Sequence, residues 1–255
     1  MNPNRRIKSS GVVLIGVWMV LFTGYGIVCG EPSSVLEVGA FSTQKAGRRL
    51  PSQWEPLHFK DIKSHTHYRL VESDGRTVVE AKADGSASGL IRKISIDPKE
   101  YPIVRWRWKV SNVLQKGNVH QKAGDDYPAR LYILFAHDPD KLSFFEKLKY
   151  EAAKLFYGEY PPLASISYIW ASNAPKGLMV PNAYTDRSIM FVVKSGEVKV
   201  NRWVDEKRDL YADYREAFKD EPPMISGVAI MTDADNTGET VTAYYGDILF
   251  SKERP

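Results

Sequence analysis

The seven residues Val104-Arg105-Trp106-Arg107-Trp108-Lys109-Val110 decide the fold class of this 255-residue chain. Apolar and basic side chains alternate one by one, and successive side chains of a β-strand point to opposite faces of a sheet. One face therefore carries Val, Trp, Trp and Val, while the other carries Arg, Arg and Lys. This pattern predicts a strand of an antiparallel sheet, with one face packed on the core and the other in water.

The same alternation recurs between turn residues along most of the chain. Ser73-Asp74-Gly75-Arg76 has the residues of a tight hairpin turn, because Asp and Gly tolerate positive φ. The further predicted strands are Tyr68–Glu72, Val78–Ala83, Gly89–Ile96, Ala129–Ala136, Ser165–Ala171, Ser188–Val193, Val198–Trp203, Ile225–Thr232 and Val241–Phe250.

Two segments have a helical period instead. Apolar residues recur at spacings of three and four in Lys141–Phe156 and in Glu206–Lys219, which predicts two short amphipathic helices. Many short strands with only two helices indicate a mainly β protein with an antiparallel β-sandwich, and not a βαβ fold.

The N-terminal residues have the layout of a secretory signal peptide. Three basic residues within positions 5–8 precede an apolar run from Val12 to Phe22, and small residues surround Gly30. We predict cleavage after Gly30. The alternatives are an uncleaved membrane anchor, because no charge occurs from Ser9 to Gly30, and lipidation of Cys29.

This layout divides the chain into three parts. Residues 1–30 are the predicted signal peptide or N-terminal anchor, residues 31–45 a polar linker, and residues 46–252 a single β-sandwich domain. The predicted location is periplasmic or secreted, with membrane contact only through an uncleaved N-terminal segment.

Charge and cysteine content exclude several classes of protein. The formal net charge is +4, but without the three basic residues near the N-terminus 32 Lys and Arg stand against 31 Asp and Glu. A chain so close to neutrality lacks the basic face that nucleic-acid binding requires. Cys29 is the only cysteine, so the cleaved chain has no disulfide, no thiolate nucleophile and no cysteine-ligated metal.

Acidic and aromatic residues in loops are the candidates for ligand binding. Adjacent carboxylates beside a guanidinium, as in the segment Gly124 to Arg130, can shift each other's pKa values for acid/base work or bind a cation. The alternative is that one aspartate caps a turn while the other pairs with Arg130. Exposed tyrosines offer flat faces for sugar rings. The predicted ligand-binding residues are Asp125, Asp126, Tyr127, Arg130, Tyr184 and Asp247.

The loop Thr232 to Glu239 resembles the beginning of a calcium-binding loop. Oxygen-bearing side chains at Asp233, Asp235 and Thr237 alternate before a glycine, and calcium prefers several oxygen ligands. The twelfth position is Tyr244, where an EF-hand needs a bidentate Glu, so an EF-hand is excluded. The alternatives are another kind of cation loop and a plain hairpin turn.

Several strings together resemble the bacterial domain-of-unknown-function family 3047. They are Ser88-Gly89-Leu90, Trp106-Arg107-Trp108, Gly124 to Arg130, Tyr168-Ile169-Trp170, Arg208-Asp209 with Asp213-Tyr214, Gly227 to Gly238 and Ala243 to Ile248. The resemblance spans nearly all of Phe41–Phe250. It implies an exported single domain with no assigned activity, and by analogy a galactose-binding-like jelly roll, which leaves function open.

Three functions are compatible with these features. The favoured hypothesis is an exported non-catalytic domain that binds a carbohydrate or a similar polar ligand, because no Gly-x-Ser-x-Gly elbow and no phosphate-binding glycine loop is present. A second is a carbohydrate-active hydrolase or lyase that uses Asp126, Asp233 or Asp247. A third is a structural envelope protein with a calcium-stabilised loop, and calcium is the one cofactor that the sequence suggests.

Overall fold

The computed structural model describes residues 33–136 and 164–253. The predicted signal peptide and the helix predicted at Lys141–Phe156 lie outside the described residues. Within the described ranges, no helix has the length and hydropathy that crossing a bilayer requires.

The described residues form thirteen strands and one α-helix. They are β1 (Val35–Gly39), β2 (Glu55–Leu57), β3 (His67–Ser73), β4 (Arg76–Asp84), β5 (Ala87–Ile96), β6 (Ile103–Val110), β7 (Ala129–Phe135), β8 (Ala164–Ala171), β9 (Met179–Asn182), β10 (Thr185–Ser195), β11 (Val204–Asp209), α1 (Leu210–Phe218), β12 (Ile225–Asp233) and β13 (Thr240–Ser251).

The strands form two sheets. Sheet A has the order β11-β6-β13-β4-β3, and β1 also pairs with β13. Sheet B has the order β2-β5-β12-β7-β8-β10-β9. All pairs are antiparallel except β8 with β10, which are parallel. The predicted mainly β sandwich is therefore confirmed, with one parallel pair that the alternation did not predict.

Aromatic side chains from both sheets form the centre of the core. Trp106 and Trp108 on β6 are 3% and 0% exposed, as the alternation predicts. Trp106 stacks on Tyr168 of β8 at a centroid distance of 5.1 Å, and Trp108 lies 6.1 Å from Trp170 of the same strand. These contacts join sheet A to sheet B.

The predicted hairpin turn joins β3 to β4. Ser73 pairs with Arg76, so the turn has two residues. Asp74 and Gly75 have φ values of 51° and 75°, the left-handed conformation that a tight hairpin with the sheet's twist requires.

Three predictions of local structure are wrong. Val35–Gly39 lies in the predicted linker 31–45 but forms β1, because it pairs with β13. The segment Val198–Trp203, predicted as a strand, consists of turns, and Val198 is 85% exposed. The helix predicted at Glu206–Lys219 begins only at Leu210, because the preceding residues pair with β6 as β11.

Glu206 on β11 is a buried acid whose ionisation opposes folding. Its carboxylate lies 3.9 Å from the Lys194 ammonium, yet burial raises the pKa of Glu206. A folded-state pKa above the unfolded value contributes stability at low pH, and this contribution disappears as the pH rises through the folded pKa.

We therefore expect Glu206→Gln to raise Tm at pH 7 and to leave Tm unchanged at pH 3, where the glutamine of the variant and the protonated Glu206 of the wild type are both neutral. Thermal denaturation followed by circular dichroism at the two pH values measures the difference. The matched control is Glu72→Gln, which alters an exposed carboxylate on β3. A lower Tm of the Glu206 variant at pH 7 would show that the attraction to Lys194 outweighs burial.

Candidate functional site

Arg130 is the centre of the candidate site, and its position follows from the alternation of β7. Leu131, Ile133 and Phe135 of this strand are buried in the core between the sheets. Arg130 and Tyr132 therefore lie on the opposite face of sheet B, which is turned away from that core. Arg130 is nevertheless only 2% exposed, because residues of adjacent loops pack over it.

Every part of the Arg130 guanidinium has a partner. Its Nε donates to Asp233 Oδ1 at 2.9 Å, and its Nη2 donates to Asp233 Oδ2, which makes a bidentate pair. Nη2 also donates to the carbonyl oxygen of Asp125 at 2.6 Å, and Nη1 donates to the Tyr132 hydroxyl at 3.0 Å. The Tyr127 ring covers the guanidinium at 4.2 Å.

Two loops that are distant in sequence meet at this end of sheet B. Arg130 of β7 pairs with Met231 of β12, which brings the loop before β7 beside the loop after β12. The Tyr127 amide donates to Asp233 Oδ1 at 3.3 Å, and the Asp233 amide donates to the Tyr127 carbonyl at 3.4 Å. Strand pairing, and not proximity in sequence, assembles the site.

Asp125 is held between three groups at the inner end of the site. Its Oδ1 accepts a hydrogen bond from the Tyr127 hydroxyl at 3.1 Å, and its Oδ2 lies 3.7 Å from Arg130 Nη1. The side-chain amide of Asn182, from β9, donates to both carboxylate oxygens at 2.9 and 3.0 Å. These contacts fix the orientation of the Asp125 carboxylate.

Asp126, Asp233 and Asp235 form an acidic cluster, in which one carboxylate oxygen from each lies within 4.8 Å of the others. Asp126 and Asp233 are each 1% exposed, and Asp235 is half-buried. Burial raises the pKa of Asp233, and the bidentate Arg130 guanidinium opposes this shift because it favours the ionised carboxylate. Burial and the neighbouring Asp126 carboxyl raise the pKa of Asp235.

A cleft of about 1070 Å³ opens above Arg130 on the outer face of sheet B. The aromatic rings that line it are His58, Phe59, His65, Tyr132 and Tyr184. The polar side chains that line it include Asp125, Asn182, Thr185, Ser188, Asp235 and Asn236. Such a mixture of ring faces with a few positioned polar groups is typical of small-molecule sites.

The structure brings most of the residues predicted from the sequence to this cleft. Asp125, Arg130, Tyr184, Asp233 and Asp235 all line it.

Asp126 and Tyr127 lie beneath the cleft, both 1% exposed, so they are covered and do not form its rim. Thr237 is 4% exposed and donates its backbone N–H to Asp126 Oδ2 at 2.6 Å. Thr237 therefore supports Asp126 through its backbone.

Asp247 lies elsewhere, on β13 of sheet A. Its Oδ1 accepts from the Ser42 amide at 2.8 Å and its Oδ2 accepts from the Ser42 hydroxyl at 2.5 Å. These bonds tie β13 to the short turn of 3-10 helix at Phe41–Thr43. Asp247 does not belong to the cleft.

Several residues that line the cleft were not predicted from the sequence, and four of them stand out. His58 and Phe59 lie in the loop after β2, Tyr132 on β7 and Asn182 on β9. The His58 and His65 rings stack at a centroid distance of 3.9 Å, which closes one side of the cleft. The signal available in the sequence was Phe59, an aromatic residue in a polar loop. The predicted strands already supply enough apolar side chains for the core, so an aromatic residue in a loop indicates a binding surface.

The match to a protein family covers most of this fold. Residues 52–249 match the family described as "Protein of unknown function (DUF3047)". The chain belongs to this family. The resemblance predicted from the sequence is thus confirmed for the DUF3047 protein, and no curated protein matches it in sequence.

Solved structures of similar fold are distant from this DUF3047 protein. A family 29 carbohydrate-binding module complexed with cellulohexaose is 10% identical, with a TM-score of 0.34 and coverage of 87% of this chain and 94% of the other. The carbohydrate recognition domain of Emp47p is 12% identical, with a TM-score of 0.39 and coverage of 87% and 96%.

The glycoside hydrolase domain of Endo-D from Streptococcus pneumoniae R6 is 10% identical, with a TM-score of 0.31. The match covers 79% of the DUF3047 protein but only 22% of that larger chain. Because all three TM-scores are low, the function of the DUF3047 protein has to be inferred from its own cleft.

Proposed function

We propose that this protein is a non-catalytic domain that binds a neutral carbohydrate in the cleft above Arg130. The observation that carries the proposal is the exposure of two rings at the cleft: Tyr184 is 55% exposed and Phe59 is 37% exposed. Exposed ring faces beside polar groups are the kind of surface that a ligand would cover. Sugar rings have C–H faces that pack on aromatic rings and hydroxyl groups that bind polar side chains.

The polar groups of the cleft match the hydroxyls of a sugar. Asn182 and Asn236 each offer amide donors and a carbonyl acceptor, and the carboxylates of Asp125 and Asp235 offer strong acceptors. Asn182 and Asp125 already bind each other, so both are held in place before a ligand arrives. Such preorganisation lowers the entropic cost of binding.

The charge of the cleft favours a neutral ligand over an acidic one. Among the groups that line it, Asp61, Asp125, Asp233 and Asp235 oppose only Lys60 and Arg130. Because Arg130 is already bound by Asp233, a phosphate or a polyuronate would meet these carboxyls without a free guanidinium to bind it. The same excess disfavours nucleic acid as a partner.

A carbohydrate-active hydrolase or lyase is the second hypothesis, and the geometry favours it less. Asp233 has the raised pKa of a general acid, but its carboxylate is 1% exposed and bound bidentately by Arg130. Asp126 is equally buried, and Asp247 lies on the other sheet. A proton donor has to reach the glycosidic oxygen of a bound sugar. Burial of Asp126 and Asp233, and the position of Asp247 on the other sheet, hinder such contact.

Export is part of the proposal and rests on residues 1–30. A periplasmic or secreted domain meets extracellular glycans, so a site for neutral sugars would encounter its ligands there. Whether the N-terminal segment is cleaved or retained as an anchor stays a prediction from its sequence.

Calorimetric titration with neutral oligosaccharides, after a glycan-array screen, tests the proposed function. We expect Tyr184→Ala to weaken the affinity for the bound saccharide about tenfold, because a stacked ring contributes on the order of 1 kcal/mol. The matched control is Tyr244→Ala, which removes a tyrosine of β13 on sheet A that does not line the cleft.

Two outcomes would contradict the proposal. One is the absence of binding to every neutral glycan of the array. The other is an equal loss of affinity in the Tyr184 and Tyr244 variants, which would place the ligand outside the cleft.

A further inference from the structure

The acidic cluster contains a buried carboxylate oxygen without a partner. Asp126 is 1% exposed, and its Oδ1 has no hydrogen-bond partner among the described residues. Its other oxygen, Oδ2, accepts the Thr237 amide. An ionised oxygen that is buried without a donor or a cation costs several kcal/mol, so folded proteins rarely keep one.

The carboxyl neighbours of Asp126 are acceptors when they are ionised, and in that state they cannot satisfy this oxygen. The carboxyls of Asp126 and Asp235 lie within hydrogen-bonding reach of each other. Two ionised carboxylates repel at this distance, and either a proton shared between them or a bound cation removes the repulsion. A carboxylate oxygen of Asp233 completes the group within 4.8 Å.

Protein cations do not neutralise the cluster. Among the residues that the structure describes, four carboxyls, those of Asp125, Asp126, Asp233 and Asp235, meet at this end of sheet B around one guanidinium, that of Arg130. That guanidinium is already committed to Asp233, the Asp125 carbonyl and Tyr132.

Lys116 is the nearby ammonium that could help, and it does not reach the carboxylates. Its Nζ donates to the Thr237 carbonyl at 2.9 Å. Negative charge therefore remains in excess among the described residues at a buried position.

We propose that Asp126, Asp233 and Asp235 bind a calcium ion at the floor of the cleft. All the ligand atoms are carboxylate oxygens, which hard cations prefer, and calcium accepts six to eight oxygens in flexible geometry. Asp233 can ligate while it binds Arg130, because each carboxylate oxygen has two lone pairs. Asp235 lines the cleft and is half-buried, which gives the ion a route from solvent.

This site differs from the loop that the sequence suggested. The sequence pattern predicts ligands at Asp233, Asp235 and Thr237 within one loop. In the structure the third carboxylate comes from Asp126, more than a hundred residues earlier, and Thr237 only positions it. A calcium ion would thus join the loop before β7 to the loop after β12.

Calorimetric titration of the EDTA-treated full-length chain with calcium chloride, without any saccharide, tests the site. We expect saturable binding and a rise in Tm of about 5 °C at saturation, because an ion that binds only the folded state stabilises it. Asp126→Asn is expected to weaken calcium affinity at least tenfold. The matched control is Asp247→Asn, which should bind calcium as the wild type does.

The partly exposed ligand provides a second variant if Asp126→Asn does not fold. Asp235→Asn should fold, because its side chain is only half-buried, and should also weaken calcium affinity at least tenfold. The proposal is overturned if the wild type shows neither heat nor a Tm shift, if both variants bind calcium normally, or if magnesium chloride binds as tightly. Since no saccharide is present, failure of glycan binding does not affect this result.

Discussion

Replacing Arg130 with alanine is expected to lower the free energy of unfolding by about 3–5 kcal/mol, because it leaves buried carboxylates without their cationic partner. Arg130 is 2% exposed and Asp233, its bidentate partner, is 1% exposed. Without the guanidinium, the Asp233 carboxylate has no cationic partner among the described residues, and the Asp125 carbonyl loses its donor. Urea denaturation followed by tryptophan fluorescence measures the loss.

A surface pair of the same chemistry serves as the control. Arg69 on β3 donates to Glu80 on β4 at 2.6 Å, but the Arg69 side chain is 52% exposed. Solvent screens such pairs, so Arg69→Ala should destabilise the fold far less than Arg130→Ala does. Similar losses for the two variants would show that the Arg130 cluster is not the buried network described above.

The second large effect is expected at Trp108, where replacement with alanine should cost about 3–5 kcal/mol. Trp108 is 0% exposed and contacts Trp106 within sheet A and Trp170 across the core. Its removal leaves a cavity between the two sheets that the surrounding strands cannot close. The same denaturation experiment gives the change in free energy of unfolding.

Trp203 provides a matched tryptophan outside this core. It lies under the Arg107 guanidinium at 4.6 Å and donates to Asp74 at 2.7 Å on the outer face of sheet A. Trp203→Ala should therefore cost about 1 kcal/mol, the usual value for an exposed cation–π contact. An effect at Trp108 no larger than the one at Trp203 would argue against a core centred on β6 and β8.

The fold was predictable where local pattern and tertiary packing agree. In β6 each Trp points inward and each basic residue outward, so alternation alone predicts the strand. The helix predicted from Glu206 begins four residues later, because pairing with β6 overrides a helical period at Glu206–Asp209. β1 was missed since its partner, β13, lies more than two hundred residues away.

The candidate site was predictable as chemistry but not as geometry. The acidic loops and Arg130 stand out in the sequence, and the expected partner of Arg130 was a neighbouring aspartate. Its main partner is Asp233 instead, because the pairing of β7 with β12 brings that residue across. Sequence reveals which side chains can ionise, whereas strand register decides which of them meet.

The position of β13 in sheet A has a consequence for how the chain matures. This strand lies between β6 on one edge and β4 with β1 on the other, and all three are synthesised before it. Sheet A therefore lacks its central strand until the ribosome has made residues 240–251. Before that point, the edges of β1, β4 and β6 that pair with β13 have no partner strand there. Until β13 is made, the unpaired edges of β4 and β6 can pair with other chains, so edge-to-edge aggregation during synthesis is the risk that this order of strands creates.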